Sequence, residues 1–131
     1  MGMPAAKMGD QILATDIHII LIPTPGGPVP TPLPHPFVGI INSGCSTDVK
    51  IMSMGAAVQG SKAMNTPPHI PQGGPFQKPP TNQGEIIFGS TTVMINGKPA
   101  ARTGDTAKTC NDPTDLPVGT VVAAGTVMIG G

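Results

Sequence analysis

Pro99-Ala100-Ala101-Arg102-Thr103-Gly104-Asp105 decides how this chain is read, because the chain writes it almost three times. Pro4-Ala5-Ala6-Lys7-Met8-Gly9-Asp10 opens the sequence with nearly the same letters, and Ala56-Ala57-Val58-Gln59-Gly60-Ser61 is a worn copy between them. The register runs beyond the phrase. Val49, Ile51, Ala56, Ala57 and Gly60 stand at one constant interval before Val93, Ile95, Ala100, Ala101 and Gly104, and Ser46-Thr47 precede Ser90-Thr91 by the same interval. Thr126-Val127-Met128-Ile129 repeats Thr92-Val93-Met94-Ile95. Such a repeat predicts a fold assembled from like β units, stacked or set around an axis.

Composition agrees with an all-β domain. The 131 residues fit one domain, 1–131, with repeat phrases at 4–10, 56–61 and 99–105. The 18 Gly and 17 Pro exclude long helices. Only 11% of residues are charged and the strand-like runs are apolar, so the Pro and Gly content reads as loops rather than disorder. Three Phe and no Trp or Tyr leave the core to Ile, Val, Ala and Leu, with Met expected to fill gaps inside it. Seven basic and seven acidic residues balance, and no basic run is present, which argues against nucleic acid and anionic membranes as partners. No secretory signal is recognisable, and Ile17 to Ile22 is too short to span a bilayer. Two Cys do not make a disulfide framework.

Between the copies, Gln11 to Ile22 predicts one or two strands, with His18 facing away from Ile17 and Ile19. Pro23 to Pro36 predicts an extended or turning loop. Short strands follow at Phe37 to Asn42, Val49 to Met52, Glu85 to Phe88 and Val93 to Ile95, and Asn96-Gly97 is a type I′ hairpin signal. Asn65 to Pro75 and Thr106 to Pro117 predict a second and a third loop, and Gly119 to Ile129 a closing strand. These loops carry soft or borderline metal donors in register. His18 and His69 each come eight residues after the end of a phrase, at Asp10 and Ser61, and Cys110 comes five after Asp105. His35 joins them from the first loop, held between Pro34 and Pro36. Cys45 competes for the same role, but it precedes a strand and its repeat equivalent is Gly89, so it reads as a packing residue.

With two copies of the phrase, Thr92 to Lys98 before it and Gly104-Asp105 after it, the chain resembles the PAAR-repeat proteins, named for Pro-Ala-Ala-Arg. The resemblance implies a small cone-like β domain with a pseudo-threefold base, long Pro/Gly loops and a metal-stapled apex. It also implies a function. Such a cone caps the trimeric, VgrG-like β-helical spike of a type VI secretion system or related contractile injection system, one copy per trimer. It sharpens the spike for puncturing a target membrane, and it offers a place for effector cargo. The implied metal is one structural zinc, held by His18, His35, His69 and Cys110; donor type alone does not separate zinc from iron. The chain leaves no room for a fused effector, so it reads as a stand-alone, non-enzymatic tip, cytoplasmic when assembled and exported by contraction. A point has almost no interior, and four protein ligands supply folding energy there while leaving no open position for catalysis.

Two other readings compete. A small zinc-dependent hydrolase would pair the histidines with an acid such as Asp16 or Glu85 and free one metal position for water, although no metalloprotease spacing is present. A secreted metal-binding adhesive module would need no spike partner.

Overall fold

The computed structural model describes residues 2–130. In chain order its strands are β1 (Met3–Pro4), β2 (Gln11–Ile22), β3 (Val29–Ser43), β4 (Lys50–Ile51), β5 (Met54–Gly55), β6 (Lys62–Asn65), β7 (Gln83–Ile86), β8 (Met94–Ile95), β9 (Lys98–Pro99), β10 (Thr106–Thr109), β11 (Leu116–Val122) and β12 (Met128–Ile129). There is no helix among the described residues. Six strands close a barrel in the order β10-β11-β2-β3-β6-β7. It consists of three antiparallel pairs, β2/β3, β6/β7 and β10/β11, each rising directly after one copy of the phrase. Three two-stranded ribbons sit below: β4/β5, β8/β9, and β1/β12, in which the last strand pairs with the first and closes the circle.

The phrase forms the hub. The Ala6 amide donates to the Ala101 carbonyl (2.9 Å), the Ala101 amide to Ala57 (3.0 Å), and the Ala57 amide to Ala6 (3.0 Å), a closed ring of three bonds. All three alanines are fully buried. A larger side chain at the axis would push the three backbones apart. The next turn repeats as faithfully: Gly9, Gly60 and Gly104 donate to Ile41, Ile86 and Val121. The end of each phrase closes on itself. The Asp10 and Asp105 carboxylates accept from the Lys7 and Arg102 amides and pair with those side chains at 3.0 and 3.1 Å. In the worn copy the Ser61 hydroxyl accepts from the Val58 amide instead and donates to the Gly44 carbonyl.

Packing follows the axis in layers. Ala5, Ala56 and Ala100 with Ile51, Ile95 and Ile129 form a core behind the base ribbons. Ala6, Ala57 and Ala101 come next, followed by Ile41, Ile86 and Val121, with Ile12, Ala63, Ala107 and Phe37 filling the barrel. Phe37 needs room. A Cβ at Gly39 would stand 2.6 Å from its ring, and one at Gly84 3.2 Å, so both positions lack a side chain where the ring lies against the backbone.

The taper comes from unequal strands. β2 and β3 pair along the whole of β2, but β11 accompanies β2 only over Gln11–Leu13 and β6 joins β3 only from Gly39 onward. One hairpin therefore carries the narrow end. The other two loops brace it. Leu21 donates to the Pro75 carbonyl, Gln77 to Ile19, and Asp112 to Ile17.

Four expectations change here. Val29 to Pro36 is strand, not loop. Pro30, Pro32, Pro34 and Pro36 alternate, so all four lie on the exposed face while Thr31, Leu33 and His35 turn inward. A ladder with β2 that runs unbroken through them requires the missing donors to point away from β2. The third loop is shorter than expected, because Thr106–Thr109 and Leu116–Val122 pair as β10 and β11. The closing strand breaks into β11 and β12, which serve the barrel and the base separately. The described methionines are not core filling: Met3, Met8, Met52, Met54, Met64, Met94 and Met128 are exposed, because alanine and isoleucine occupy the narrow axial space, and Met1 lies outside the described residues.

The type I′ turn is confirmed, with φ of 52° at Asn96 and 78° at Gly97. The equivalent turn in the second unit forces Met52 and Ser53 to φ of 51° and 71°, a region that costs an ordinary side chain about 1–2 kcal/mol. Ser53→Gly is therefore expected to stabilise the fold by about 0.5–1 kcal/mol in chemical denaturation. Ala57→Val, at the hub, is expected to destabilise it by about 1–3 kcal/mol.

Candidate metal centre

Above the barrel core the inward positions change character. Along β2 the buried sequence runs Ile12, Asp16, His18, Ile20, and along β3 it runs His35, Phe37, Gly39, Ile41. Strand alternation selects these faces, and the β2/β3 register sets Asp16 opposite His35. His69 arrives from the loop after β6, and Cys110 directly follows β10. The three predicted histidines and Cys110 are all buried.

The rings of His18, His35 and His69 stand against one another, with centroids 5.5, 4.8 and 5.5 Å apart for the pairs 18–35, 18–69 and 35–69. Cys110 Sγ lies 3.7 Å from His18 Nε2. Donor atoms of Asp16, His18, His69 and Cys110 all lie within 4.8 Å of one another. His35 stands beside this group rather than within that limit. Cys45 is half-buried and packs against the barrel core, outside the group. Of the two acids considered for a hydrolytic site, Asp16 joins the cluster and Glu85 pairs in register with Lys62 and Lys108 on neighbouring strands.

Hydrogen bonds set each ring. His35 Nδ1 donates to the Leu33 carbonyl at 2.9 Å, which leaves Nε2 with a bare lone pair, buried and without a partner. His18 Nδ1, likewise buried and unpartnered, faces Asp112 Oδ1 at 3.6 Å, while Nε2 turns to Cys110. His69 is held differently. Asn65 accepts from the Val38 amide with Oδ1, so its Nδ2 is the donor that meets His69 Nδ1 at 3.2 Å. His69 Nε2 then carries the hydrogen and donates to Asp16 Oδ2 at 2.9 Å. Asp16 is fully buried, and its Oδ1 accepts from the Thr109 hydroxyl and from Asn111 Nδ2.

The electrostatics match an interior poor in cations. Burial and the neighbouring His69 hold the His18 imidazole below its ordinary value. Burial, then the charge of Asp16, pushes the Cys110 thiol up to about 11. Burial also raises the Cys45 thiol. His18 Nε2 beside the Cys110 thiol, the Asp16 carboxylate, and a buried His35 Nε2 lacking a partner form a donor set suited to a borderline divalent ion. The residues thus fit a structural metal, with His69 joining as a ligand when its Nε2 gives up the hydrogen it shares with Asp16. Asp16 with its supports Thr109 and Asn111, and Asn65, which holds His69, are the part that spacing from the phrase does not single out. Period-2 alternation does place Asp16 on the inward face with His18.

No curated protein matches the chain significantly. Residues 76–131, from the loop that braces the narrow end to the last base strand, match the family model of the PAAR motif. The phrases at Ala6 and Ala57, which lie outside the matched stretch, repeat the same hub geometry, so the match and the repeat together support a PAAR-repeat architecture.

Proposed function

We propose that this protein is the tip of a contractile injection spike: it caps a trimeric, VgrG-like β-helical protein, one copy per trimer, and one structural zinc ion stiffens its narrow end. The observation that carries the reading is the base. Three near-equivalent ribbons, β4/β5, β8/β9 and β1/β12, surround one axis, which is the symmetry a single chain needs to meet three identical ones. Their exposed hydrophobic side chains are Met52, Met54, Met94, Met3 and Met128, with Val49 and Val127 beside them, and Lys50 and Lys98 are exposed on the same ribbons. Flexible thioethers suit a pseudo-symmetric surface that must adapt to a symmetric partner. Short exposed edges offer backbone groups for strand addition.

The narrow end suits passage through a membrane. From Ile17 through Thr47 the chain has no Lys, Arg, Asp or Glu, so beyond Asp16 the tall hairpin brings no side-chain charge of its own to desolvate other than any carried by His18 or His35. In the cell the tip would sit in the cytoplasm on an assembled spike and leave by contraction. Zinc bound among His18, His35, His69 and Cys110 would supply folding energy on the order of 10 kcal/mol where apolar volume runs out. The role is structural and not enzymatic.

Purified protein is expected to hold about one zinc per chain. Cys110→Ala should cut that content and lower the melting temperature; unchanged values would overturn the metal reading. For the docking reading, the double variant Met94→Glu, Met128→Glu should keep the melting temperature, since both side chains are exposed. Its affinity for the cognate trimeric spike should fall at least about tenfold. A variant that still caps the trimer with unchanged affinity counts against the base as the docking face.

A further inference from the structure

We propose that Asp16 is a second anionic donor of the metal centre, presenting Oδ2 to the ion beside Cys110 Sγ. The inference rests on the metal reading above and extends it to a residue that the PAAR resemblance does not assign.

Three observations carry it. The first is geometric. Around a tetrahedral ion, a sulfur and a nitrogen or oxygen ligand stand about 3.5 Å apart, given bonds of roughly 2.3 and 2.0–2.2 Å. Asp16 Oδ2 lies 3.5 Å from Cys110 Sγ, and Cys110 Sγ lies 3.7 Å from His18 Nε2. Oδ2 therefore already occupies a tetrahedral corner, the place otherwise held by His35, which stands outside the 4.8 Å group.

The second is the division of labour within the carboxylate. Oδ1 is committed to the Thr109 hydroxyl and Asn111 Nδ2. Oδ2 meets only the groups of the centre, His69 Nε2 and Cys110 Sγ. One oxygen is anchored and the other is aimed, the arrangement by which outer hydrogen bonds orient a liganding carboxylate.

The third is charge. Asp16 is fully buried, and among the described residues its only ion-pair partner is His69. A buried carboxylate without Lys or Arg is costly, and a divalent ion bound against Oδ2 provides the missing cation. Asp112, the other carboxylate nearby, sits behind His18 Nδ1 and receives the Ile19 amide on its Oδ2, so it supports a ring rather than facing the ion.

The test compares the full chain with Asp16→Asn, which keeps the shape and removes the charge. Zinc affinity is measured by competition with a chromophoric chelator, and the melting temperature of each ion-free protein is recorded alongside. The expected result is an affinity at least about tenfold weaker in Asp16→Asn, with the thiolate-to-metal band of the cobalt-loaded protein retained because Cys110 is intact. An Asp16→Asn protein that binds zinc as tightly as the parent overturns the inference, even if its ion-free melting temperature is lower. Should Asp16→Asn fail to fold, the crystal structure of the zinc-loaded parent decides. An Asp16 oxygen about 2.0–2.2 Å from the ion supports the proposal, and one farther than about 3 Å overturns it. A parent chain that binds no divalent ion overturns the metal reading itself, and this inference with it.

Discussion

Three backbone hydrogen bonds, from Ala6 to Ala101, Ala101 to Ala57 and Ala57 to Ala6, hold this molecule around its axis. Each bond joins two copies of the phrase, so no copy is satisfied alone. An amide buried at the hub has no access to water, and leaving it unpaired would cost on the order of 1–3 kcal/mol. The requirement propagates outward. The hub demands alanine because the backbones must approach. The phrase must turn sharply at Gly9, Gly60 and Gly104, all at positive φ. It must then send a strand upward on the barrel wall. The Asp or Ser that ends the phrase satisfies the amide three residues before it. The worn copy shows which part of the motif is physical. Ser61 replaces an aspartate and Val58 replaces a cation, yet the same backbone bonds form.

The two ends of the axis follow from how the strands diverge from this hub. Toward the base, ribbons of two residues per strand spread out and expose methionine. Toward the point, only β2 and β3 continue, and little apolar volume remains, with Ile20 buried beyond the polar groups. Polar groups take over in that space. The inward positions after Ile12 and Phe37 become Asp16, His18 and His35, each positioned by hydrogen bonds from neighbouring loops or from its own strand. His35 Nε2 stays unpartnered at full burial, a condition proteins rarely tolerate without a ligand. The hub and the metal centre are therefore two answers to one problem, how to hold three chain segments together where hydrophobic volume is scarce.

Much of this was legible in the letters. The repeat, its interval and the Asn96-Gly97 turn are local properties of the chain, and each found its counterpart in the structure. Alternation along β2 also put His18 on the face that proved buried. The misreadings share a cause. Prolines at every second position of Val29–Pro36 look like a loop to any rule that counts breakers. They are compatible with a strand only when a partner lies on the other side, and that partner is β2. The methionines look like core until the width of the core is known.

By itself the sequence determined that one unit is used three times, that strands and turns build it, and that histidine and cysteine follow the phrases at short intervals. These follow from local chemistry: glycine where φ is positive, alanine where backbones meet, alternation where one face is buried. Only the tertiary structure decided that the last strand pairs with the first, and that one hairpin outgrows the others to make the point. It also decided that Asp16 enters the cluster, since a carboxylate's place there depends on Thr109, Asn111 and His69, residues far from it in the chain that the closed barrel brings to its side.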